Sequence, residues 1–580
     1  MNMIDKRAWG MGLGAAVLAC VAVPALFSSY WTYLAITAVV GAVIMQSYGV
    51  IVGRAGVMSL CQMSFAAIGA WVVLRLNLAD APGGFLLWLV LGGLAAVPVG
   101  VAIGLPALRI RGVNLAVVTF GFAVSTDIVL NANQFPGTTE LKTLTRPGLF
   151  SGNAAYFVLT VIVFTLLALG LALFNRTRLG MSWLELRYSE RAAAAHGISV
   201  ARSKLAAFAI SAFIAGVGGG LMAGQLGLVV SSNFAMGQSL ALFAVAILIG
   251  PHNPEGAVMG GVFGAVMATI LEKLRLPQDL GGMLFGLFAV FALRSGVSQT
   301  DFTRARKRER DARKLLAALA DRPQEPEVTA AEAAPAPPAP AGGEPCLEVR
   351  GLTVRYGEVV ALDAIDLTVP SGGVVGLIGP NGAGKSTFIA AVTGFIGGYQ
   401  GTVELAGQSI DRLSPSARAG RGLRRTFQTT VIAPELTQYE YLTIGAGRRL
   451  SREEADELLD FFGCPPGEVP VSIVDVGTRR LLDVAAAIAA RPKVALLDEP
   501  AAGQSAAESL KLGRRLAEVP ARFGVSILLV EHDMELVRAA CAQVTVLDFG
   551  HVIASGSTRD VLDDPAVMAA YLGTADVPLV

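Results

Sequence analysis

The sequence predicts two domains of different fold class: an N-terminal polytopic α-helical membrane domain and a C-terminal α/β domain built around a phosphate-binding loop. Three observations lead to this prediction. Long apolar runs fill the first half of the 580 residues, a stretch rich in Ala, Pro and Glu follows, and the second half carries a glycine-rich motif between a strand pattern and a helix pattern. We therefore divide the chain into a membrane domain at 1–300, a charged helix and linker at 301–345, and an α/β domain at 346–580.

The composition departs from that of a soluble protein. Hydrophobic residues make up 53% of the chain and charged residues 16%, with a mean hydropathy of +0.58, whereas soluble domains have about 45–50% apolar and about 25% charged residues. The additional apolar surface is therefore expected to face membrane lipid. The net charge of +1 gives no electrostatic reason to expect nucleic acid as a partner. The cysteines lack the paired spacing of a disulfide framework or a zinc site.

Apolar runs long enough to cross a bilayer recur about ten times, since about 20 helical residues span its hydrocarbon core. The predicted spans are 10–28, 33–52, 57–78, 85–106, 114–132, 155–174, 204–226, 238–250, 257–272 and 280–295. The run at 238–250 is short, so it and the next run form either two crossings or a re-entrant pair. The first run, which follows Lys6 and Arg7, has a signal peptide as its alternative interpretation.

Basic residues predict the orientation of these spans. With the N-terminus inside, the cytoplasmic loops carry Lys6, Arg7, Arg54, Arg109, Arg111, Arg176, Arg178, Arg187, Arg191, Arg202 and Lys204. The outside loops carry fewer, namely Lys142, Arg146, Lys273 and Arg275. This asymmetry follows the positive-inside tendency and predicts that both termini are cytoplasmic. Small residues such as Gly216 and Gly218–Gly220 indicate close helix packing within the membrane.

Two segments connect the domains. The densely charged segment 301–322 is typical of a helix in water or at the membrane surface. Residues 323–345 are rich in Ala, Pro and Glu, a composition that buries too little apolar area to fold and that proline stiffens into an extended spacer.

The most specific motif of the chain is Gly379-Pro380-Asn381-Gly382-Ala383-Gly384-Lys385-Ser386. It fits the G-x-x-x-x-G-K-[ST] pattern and lies between an apolar strand-like run, 374–378, and a helix-like run, 387–392. In such a loop, backbone N–H groups surround phosphate oxygens, the lysine reaches the outer phosphates and the serine binds Mg²⁺. The expected nucleotide contacts are Gly379, Asn381, Gly382, Gly384, Lys385, Ser386 and Thr387.

A second buried strand pattern, in the segment 494–500, ends in two carboxylates. Asp498 is expected to hold Mg²⁺ and Glu499 to polarise the attacking water. A third strand pattern, 526–530, precedes Glu531-His532-Asp533, which places His532 where a sensor of the γ-phosphate belongs. Gln428, in the sequence RRTFQ, is the remaining polar candidate, and each of these residues taken alone is equally typical of a surface loop.

These elements, in this order, resemble the nucleotide-binding domain of ABC transporters. The resemblance implies that Gln428 is the Q-loop glutamine and a metal ligand with Ser386 and Asp498, that His532 is the switch histidine, and that Tyr356 stacks on adenine. The runs GLIGPNGAGKST, RRTFQ, LLDEPAAG and LLVEHDMELV, and the ending VMAAYLG at 567–573, resemble the ATPase of branched-chain amino acid importers.

The membrane half resembles the permease of the same transport system. The segments that carry this resemblance are 53–71, 108–119 and 190–199. In such importers the loop equivalent to Glu190–Gly197 forms a coupling helix that docks beside the Q-loop. The alternative interpretation of this loop is an amphipathic surface helix.

The chain departs from the ABC pattern at two places. Where Leu-Ser-Gly-Gly-Gln is usual, it has Val474-Asp475-Val476-Gly477-Thr478, so Gly477 remains and Asp475 replaces the serine that faces a partner's γ-phosphate. Because a carboxylate there would repel phosphate, we hypothesise an asymmetric ATPase pair; the alternative is that Asp475 points away. The following D-loop region, 502–505, lacks the usual aspartate.

The resemblance implies ATP-driven import of branched-chain amino acids across a bacterial cytoplasmic membrane. The implied cofactors are ATP and Mg²⁺. The implied partners are a second permease, a second ABC ATPase and an extracytoplasmic binding protein, with lipid around the spans. Three alternatives remain: an importer of urea or short amides, an exporter half-transporter, and a membrane-tethered regulatory ATPase.

Overall fold

A computed structural model describes residues 3–110, 112–146, 148–275, 286–287, 310, 313–314, 343–429 and 431–572. The chain forms two compact units. One comprises residues 1–187 and 201–307, and the other comprises residues 188–200 and 308–580. The short segment 188–200, which lies between membrane spans in the sequence, therefore belongs to the same unit as the C-terminal domain.

Helices make up the regular structure of the first 275 residues. They are α1 (Met3–Leu26), α2 (Ser29–Tyr48), α3 (Gln62–Leu78), α4 (Gly84–Gly104), α5 (Val113–Ala132), α6 (Asn153–Phe174), α7 (Arg178–Tyr188), α8 (Glu190–Ala195), α9 (Val200–Leu226), α10 (Met236–Ile249) and α11 (Pro254–Lys273).

Within the described part of the chain, seven helices are long and apolar enough to cross a membrane. They cover 29–54, 84–104, 113–132, 153–174, 200–226, 231–249 and 254–271. Two shorter apolar helices, 10–26 and 62–78, lie at two further predicted spans. The predicted number of about ten spans is therefore not confirmed. The predicted span 280–295 and the charged helix and linker at 301–345 lie outside the described residues, apart from isolated positions and the first residues of a strand.

The predicted span 57–78 becomes helical only at Gln62. A π-helix, Gly49–Arg54, extends α2, and residues 55–61 then run without helical structure. Gly56 has φ +66°, and a Cβ atom there would lie 2.8 Å from Cγ of Arg187, so the turn requires glycine. Backbone and side chains both supply partners to the segment after it, since Val57 N donates to the carbonyl oxygen of Ile51 at 2.9 Å and Leu60 N donates to Thr119 Oγ1 at 3.1 Å. Such satisfaction is required where water is excluded.

Glycine allows α3 and α9 to approach closely, as the small residues predict. A Cβ atom added at Gly69 would lie 2.0 Å from the carbonyl oxygen of Gly216, and one at Gly219 would lie 1.8 Å from that of Ala66. The two backbones are thus in direct contact, the packing that small residues permit in membrane helices.

The second unit combines two sheets with helices. Its strands are β1 (Pro345–Tyr356), β2 (Val359–Pro370), β3 (Val374–Ile378), β4 (Gln400–Leu405), β5 (Gln408–Ser409), β6 (Leu423–Arg425), β7 (Val494–Asp498), β8 (Ser526–Val530), β9 (Gln543–Asp548) and β10 (His551–Ser557). Its helices after α8 are α12 (Lys385–Val392), α13 (Pro415–Gly420), α14 (Gln438–Ala446), α15 (Arg452–Phe462), α16 (Val476–Ala489), α17 (Ala506–Phe523), α18 (Met534–Ala540), α19 (Thr558–Leu562) and α20 (Pro565–Leu572).

The larger described sheet has the strand order β10-β9-β3-β8-β7-β6, and the smaller has the order β2-β1-β4-β5. Strands β9, β3, β8, β7 and β6 run parallel to one another. Every residue of β3, β7 and β8 is buried, which explains their continuous apolar sequences, since parallel strands are covered on both faces. The carboxyl ends of β3, β6, β7 and β8 consequently meet at one edge.

The segment 188–200 packs against the C-terminal part of its unit. Ser189 caps α8 by accepting a hydrogen bond from Ala192 N, and the carbonyl oxygen of Ala195 accepts one from Arg424 at 3.1 Å. His196 is 2% exposed, and its ring lies edge-on to Tyr441 at 5.6 Å between centroids. The side chain of Tyr188 donates to Glu435 at 2.8 Å.

Candidate nucleotide-binding site

The loop after β3 has the backbone shape that a phosphate-binding loop requires. Gly379 has φ +150°, and a Cβ atom there would lie 2.1 Å from the carbonyl oxygen of Leu547. Gly384, the N-cap of α12, has φ +107°, and a Cβ atom there would lie 2.7 Å from Leu362. Neither position can carry a side chain without displacing its neighbours. The glycines therefore leave the loop's backbone open at the N-terminus of α12, where anions are favoured.

Lys385 folds back over this loop. Its Nζ donates to the carbonyl oxygens of Gly379 at 2.5 Å and Pro380 at 2.9 Å. Burial lowers the pKa of the Lys385 amine, while the nearby carboxylates of Glu499 and Asp498 act in the opposite direction. Asn381, Gly382 and Ser386 are exposed at the same loop, and Thr387 is half-buried.

Glu499, Gln428 and His532 come together at the edge where the parallel strands end. Gln428 Nε2 donates to Glu499 Oε2 at 2.8 Å, and Nδ1 of His532 lies 4.0 Å from Glu499 Oε1. Glu499 has φ +48°, a conformation that is unusual for a residue with a side chain and that often occurs at functional sites. These three side chains were predicted separately, and the topology places them together.

Asp498 is 6% exposed and forms an ion pair with Arg425, with 3.1 Å between Asp498 Oδ2 and the guanidinium. Burial raises the pKa of Asp498, and Arg425 opposes this shift. The adjacent Thr426 accepts a hydrogen bond from Asp498 N at 3.1 Å. Arg425 and Thr426 were not among the predicted site residues. The sequence signal for Arg425 is the pair of consecutive arginines on a short strand, because a buried guanidinium requires a polar or charged partner.

Glu531 is a third residue that was not among the predicted site residues. It is 1% exposed, accepts a hydrogen bond from Ala501 N at 3.0 Å, and lies 3.7 Å from Nδ1 of His532. Burial raises the pKa of its carboxyl group, although hydrogen bonds from Ala501 and His532 oppose the shift. It links the turn after Glu499 to the end of β8. Its position directly after an apolar strand is the sequence signal, as it is for Glu499, which directly follows β7.

Tyr356, Asp475 and Gly477 are not brought into this cluster by the contacts of the described residues. Tyr356 ends β1 and is 52% exposed. Asp475 is the N-cap of α16 and accepts hydrogen bonds from Thr478 N at 2.9 Å and Thr478 Oγ1 at 2.6 Å. Partial burial opposes its ionisation, but the hydrogen bonds from Thr478 outweigh burial and lower the pKa of Asp475. Gly477 lies in the first turn of the same helix.

The residues present fit a nucleotide and its metal. The glycine loop forms an open cradle, since a Cβ atom at Gly382 would meet no heavy atom within 4 Å. The candidate metal ligands Ser386, Asp498 and Gln428 all offer oxygen atoms, which Mg²⁺ prefers in proteins. Lys385 provides the positive charge that phosphate requires.

Three family models match the chain. The model "Branched-chain amino acid transport system / permease component" matches residues 30–293, "ABC transporter" matches 362–502, and "Branched-chain amino acid ATP-binding cassette transporter" matches 551–577. The last match covers the C-terminal tail, whose end, 573–580, lies outside the described residues.

Curated relatives align with the C-terminal domain over most of their own length. The high-affinity branched-chain amino acid transport ATP-binding protein BraF of Pseudomonas aeruginosa is 33% identical, over 40% of this chain and 99% of the relative. The corresponding LivG protein of Escherichia coli is 32% identical over the same shares. A nucleotide-free ATP-binding cassette of an ABC transporter, known from a crystal structure, is 27% identical over 39% of this chain and 98% of the other, with a TM-score of 0.36.

The permease match and the cassette matches lie one after the other in a single polypeptide. The relatives indicate that the C-terminal domain is an ABC-type ATPase, in which ATP hydrolysis is coupled to transport. The chain therefore belongs to the branched-chain amino acid ABC transporter family, with a membrane permease and an ATP-binding protein fused in one chain.

Proposed function

We propose that this chain imports branched-chain amino acids across a bacterial cytoplasmic membrane, in a complex with a second permease, a second ATPase and an extracytoplasmic binding protein. The observation that carries the proposal is the convergence of Lys385, Asp498, Glu499 and His532 on one sheet edge, in a chain whose other unit contains helices of membrane-spanning length. Both termini are cytoplasmic in this proposal, as the basic loops predict.

Each site residue has a role in this proposal. The loop 379–387 and Lys385 bind the phosphates, and Tyr356 contacts the adenine. Ser386, Asp498 and Gln428 hold Mg²⁺, which neutralises phosphate charge when it is bound with ATP. Glu499, oriented by the hydrogen bond from Gln428 at 2.8 Å, accepts a proton from the attacking water. His532 lies beside Glu499 and Glu531 and senses the γ-phosphate.

The decisive experiment measures uptake in proteoliposomes that contain the assembled complex. We expect ATP-dependent accumulation of labelled leucine when the binding protein is present, and loss of both uptake and ATP hydrolysis in Lys385→Ala. The exposed Lys493 offers a matched control, and Lys493→Ala should retain both activities. If Lys385→Ala transported as well as the parent, the proposal would be wrong.

The same assay separates the alternatives. Uptake of labelled urea in place of leucine would identify an importer of urea or short amides. Transport that proceeds outward without a binding protein would identify an exporter. ATP hydrolysis that no transported solute stimulates would identify a regulatory ATPase.

The segment Glu190–Gly197 is proposed to couple the ATPase to transport. Supporting contacts are the hydrogen bond from Arg424 to the Ala195 carbonyl oxygen and the burial of His196 near Asp483, with 4.0 Å between His196 Nε2 and Asp483 Oδ1. Asp483 lies on α16, whose N-cap is Asp475, and Arg424 lies on β6, which leads to Gln428. Movement of either element on nucleotide binding therefore reaches the segment.

Coupling can be tested apart from catalysis. We expect Arg424→Gln to reduce uptake several-fold while basal ATP hydrolysis persists, because the contact lies outside the ATP site. Arg421→Gln is the control, since Arg421 is exposed and its guanidinium donates a hydrogen bond to the side chain of Gln408 at 2.8 Å. Equal loss of uptake and hydrolysis in Arg424→Gln would contradict a coupling role and favour the surface-helix interpretation.

Asp475 is the basis for proposing an asymmetric ATPase pair. Its ionised carboxylate stands where a serine faces the partner's nucleotide in the family pattern, so the site that it completes hydrolyses ATP slowly. We expect Glu499→Gln in this chain to abolish most turnover of the complex, and the equivalent change in the partner to have a smaller effect. Equal losses would contradict the asymmetry and support the alternative that Asp475 points away.

A further inference from the structure

The strand β6 carries two buried arginines, and only Arg424 has a place in the coupling proposal above. Arg425 is 8% exposed, and its NH2 group lies 3.1 Å from Asp498 Oδ2. A guanidinium is rarely buried without a specific partner, because desolvation of the charge is unfavourable. The partner in this case is the carboxylate proposed to hold Mg²⁺.

Arg425 is held in place by contacts that do not involve Asp498. Its Nε donates to the carbonyl oxygen of Thr426 at 3.3 Å, and its NH1 group donates to Thr393 Oγ1 at 3.4 Å. The guanidinium lies 4.5 Å from the ring centre of Phe427 and 5.8 Å from that of Phe395, distances at which cation–π attraction operates. Arg425 is therefore a fixed cation, and it does not need Asp498 to define its position.

Asp498 is fixed at its backbone as well. Its N–H donates to Thr426 Oγ1 at 3.1 Å, and Thr426 N donates to the carbonyl oxygen of Leu496 at 2.9 Å. Two adjacent residues, Arg425 and Thr426, thus hold the side chain and the backbone of Asp498. The guanidinium contacts Oδ2, which sets the orientation of the carboxylate plane.

We propose that Arg425 is a positioning residue for the metal carboxylate: it fixes Asp498 so that the carboxylate is oriented for Mg²⁺ before the nucleotide arrives. This inference rests on the proposed role of Asp498 in ATP binding. Partners that orient a metal ligand typically change metal affinity by about 10–100-fold when they are removed. Lys385, which is proposed to contact phosphate, is held by its own hydrogen bonds to the carbonyl oxygens of Gly379 and Pro380.

The test measures binding of a fluorescent nucleotide, trinitrophenyl-ATP, to the purified full chain at increasing Mg²⁺ concentrations and with EDTA. For Arg425→Gln we expect the Mg²⁺ concentration at half-maximal effect to rise about 10-fold, with affinity in EDTA unchanged. Arg425→Lys should rescue part of the shift, because it keeps the charge but lacks the planar fork. An unchanged or lowered Mg²⁺ midpoint in Arg425→Gln would overturn the proposal.

A second variant covers the case in which Arg425→Gln does not fold. Thr393→Val removes one hydrogen bond to the guanidinium and keeps its charge, so the Mg²⁺ midpoint should rise by a smaller factor, about 2–3-fold. The same midpoint in Thr393→Val and in the parent would contradict the positioning role. Arg421→Gln, at the exposed C-cap of α13, is the matched control and should leave the midpoint unchanged.

Lys385→Ala separates the inference from the proposed function. It should weaken nucleotide binding both with Mg²⁺ and with EDTA. If it does not, the assignment of the ATP site fails. If Lys385→Ala weakens binding as expected but Arg425→Gln leaves the Mg²⁺ midpoint unchanged, only the role of Arg425 fails.

Discussion

The two units of this chain fix the positions of their elements in opposite ways. In the membrane unit, α3 and α9 are positioned by the absence of side chains, since Gly69 and Gly219 place backbone against backbone. In the ATPase unit, the site is positioned by charged and polar side chains that bond across strand ends, such as Arg425 with Asp498 and Gln428 with Glu499. In lipid the hydrophobic effect does not bring helices together, so van der Waals contacts between closely packed helices have to stabilise their association. At a sheet edge, buried polar groups have to satisfy one another.

Adding a methyl group to the glycine contact should have the largest effect. A Cβ atom at Gly219 would lie 1.8 Å from a backbone oxygen, which only movement of a helix relieves. We expect Gly219→Ala to lower the free energy of unfolding by about 1–3 kcal/mol or more, measured by thermal unfolding in detergent.

The matched control is Gly170→Ala on α6, where a Cβ atom would meet nothing within 4 Å. It should be neutral or stabilising by up to about 1 kcal/mol, because alanine favours helix. Equal destabilisation by both changes would contradict the claim that the backbone contact at Gly219 is what requires glycine there.

The corresponding change at the polar edge is Glu531→Gln. The two carboxylate oxygens of Glu531 accept hydrogen bonds from Ala501 N and His532 N. A glutamine amide has only one acceptor oxygen, so one of these bonds is lost. We expect a loss of about 1–3 kcal/mol in the free energy of unfolding and slower ATP turnover, measured by chemical denaturation and phosphate release. Glu535→Gln, at an exposed position of α18, should change neither; a parallel loss there would indicate a general charge effect.

Substitutions at Asp475 can separate its role as a helix cap from its proposed effect on ATP hydrolysis. Asp475→Ala removes the N-cap of α16 and should destabilise the ATPase unit by about 1 kcal/mol. Asp475→Ser keeps a capping oxygen but removes the charge, so stability should be nearly unchanged while ATP turnover of the assembled complex rises. Unchanged turnover in Asp475→Ser, with the complex intact, would argue that the carboxylate does not limit hydrolysis.

The smallest effect is expected at an exposed ion pair. Hydrogen bonds from Arg448 and from the backbone of Ser451 lower the pKa of Glu454 to about 2. A depressed pKa means that the stabilisation is present above the unfolded-state pKa, near 4.5, and is lost as pH falls toward 2. The stability difference between the parent and Glu454→Gln should be below about 1 kcal/mol at pH 7 and should shrink below about pH 5; a difference that grows in acid would contradict this.

The sequence predicted three strands of the site. The runs 374–378 and 526–530 are β3 and β8 at the predicted bounds, and the apolar run that ends at the two carboxylates is β7, because fully buried parallel strands are short continuous apolar segments. The phosphate-loop motif was recognisable because it is also local. Its glycines allow backbone conformations with positive φ that other residues rarely adopt. The permease was predicted only as apolar runs. Such runs do not show that residues 55–61 are irregular or that α3 starts at Gln62.

What the sequence by itself determined is therefore local: which runs are apolar enough to cross a membrane, which loop has the glycines of a phosphate-binding loop and which carboxylates lie at the ends of buried strands. Only the tertiary structure decided that Arg425 holds Asp498, that Glu531 accepts from Ala501, and that residues 188–200 belong to the ATPase unit. The physical reason is range. Periodicity and turn chemistry act over a few neighbouring residues, whereas a buried charge finds its partner through pairing between strands that lie far apart in the chain.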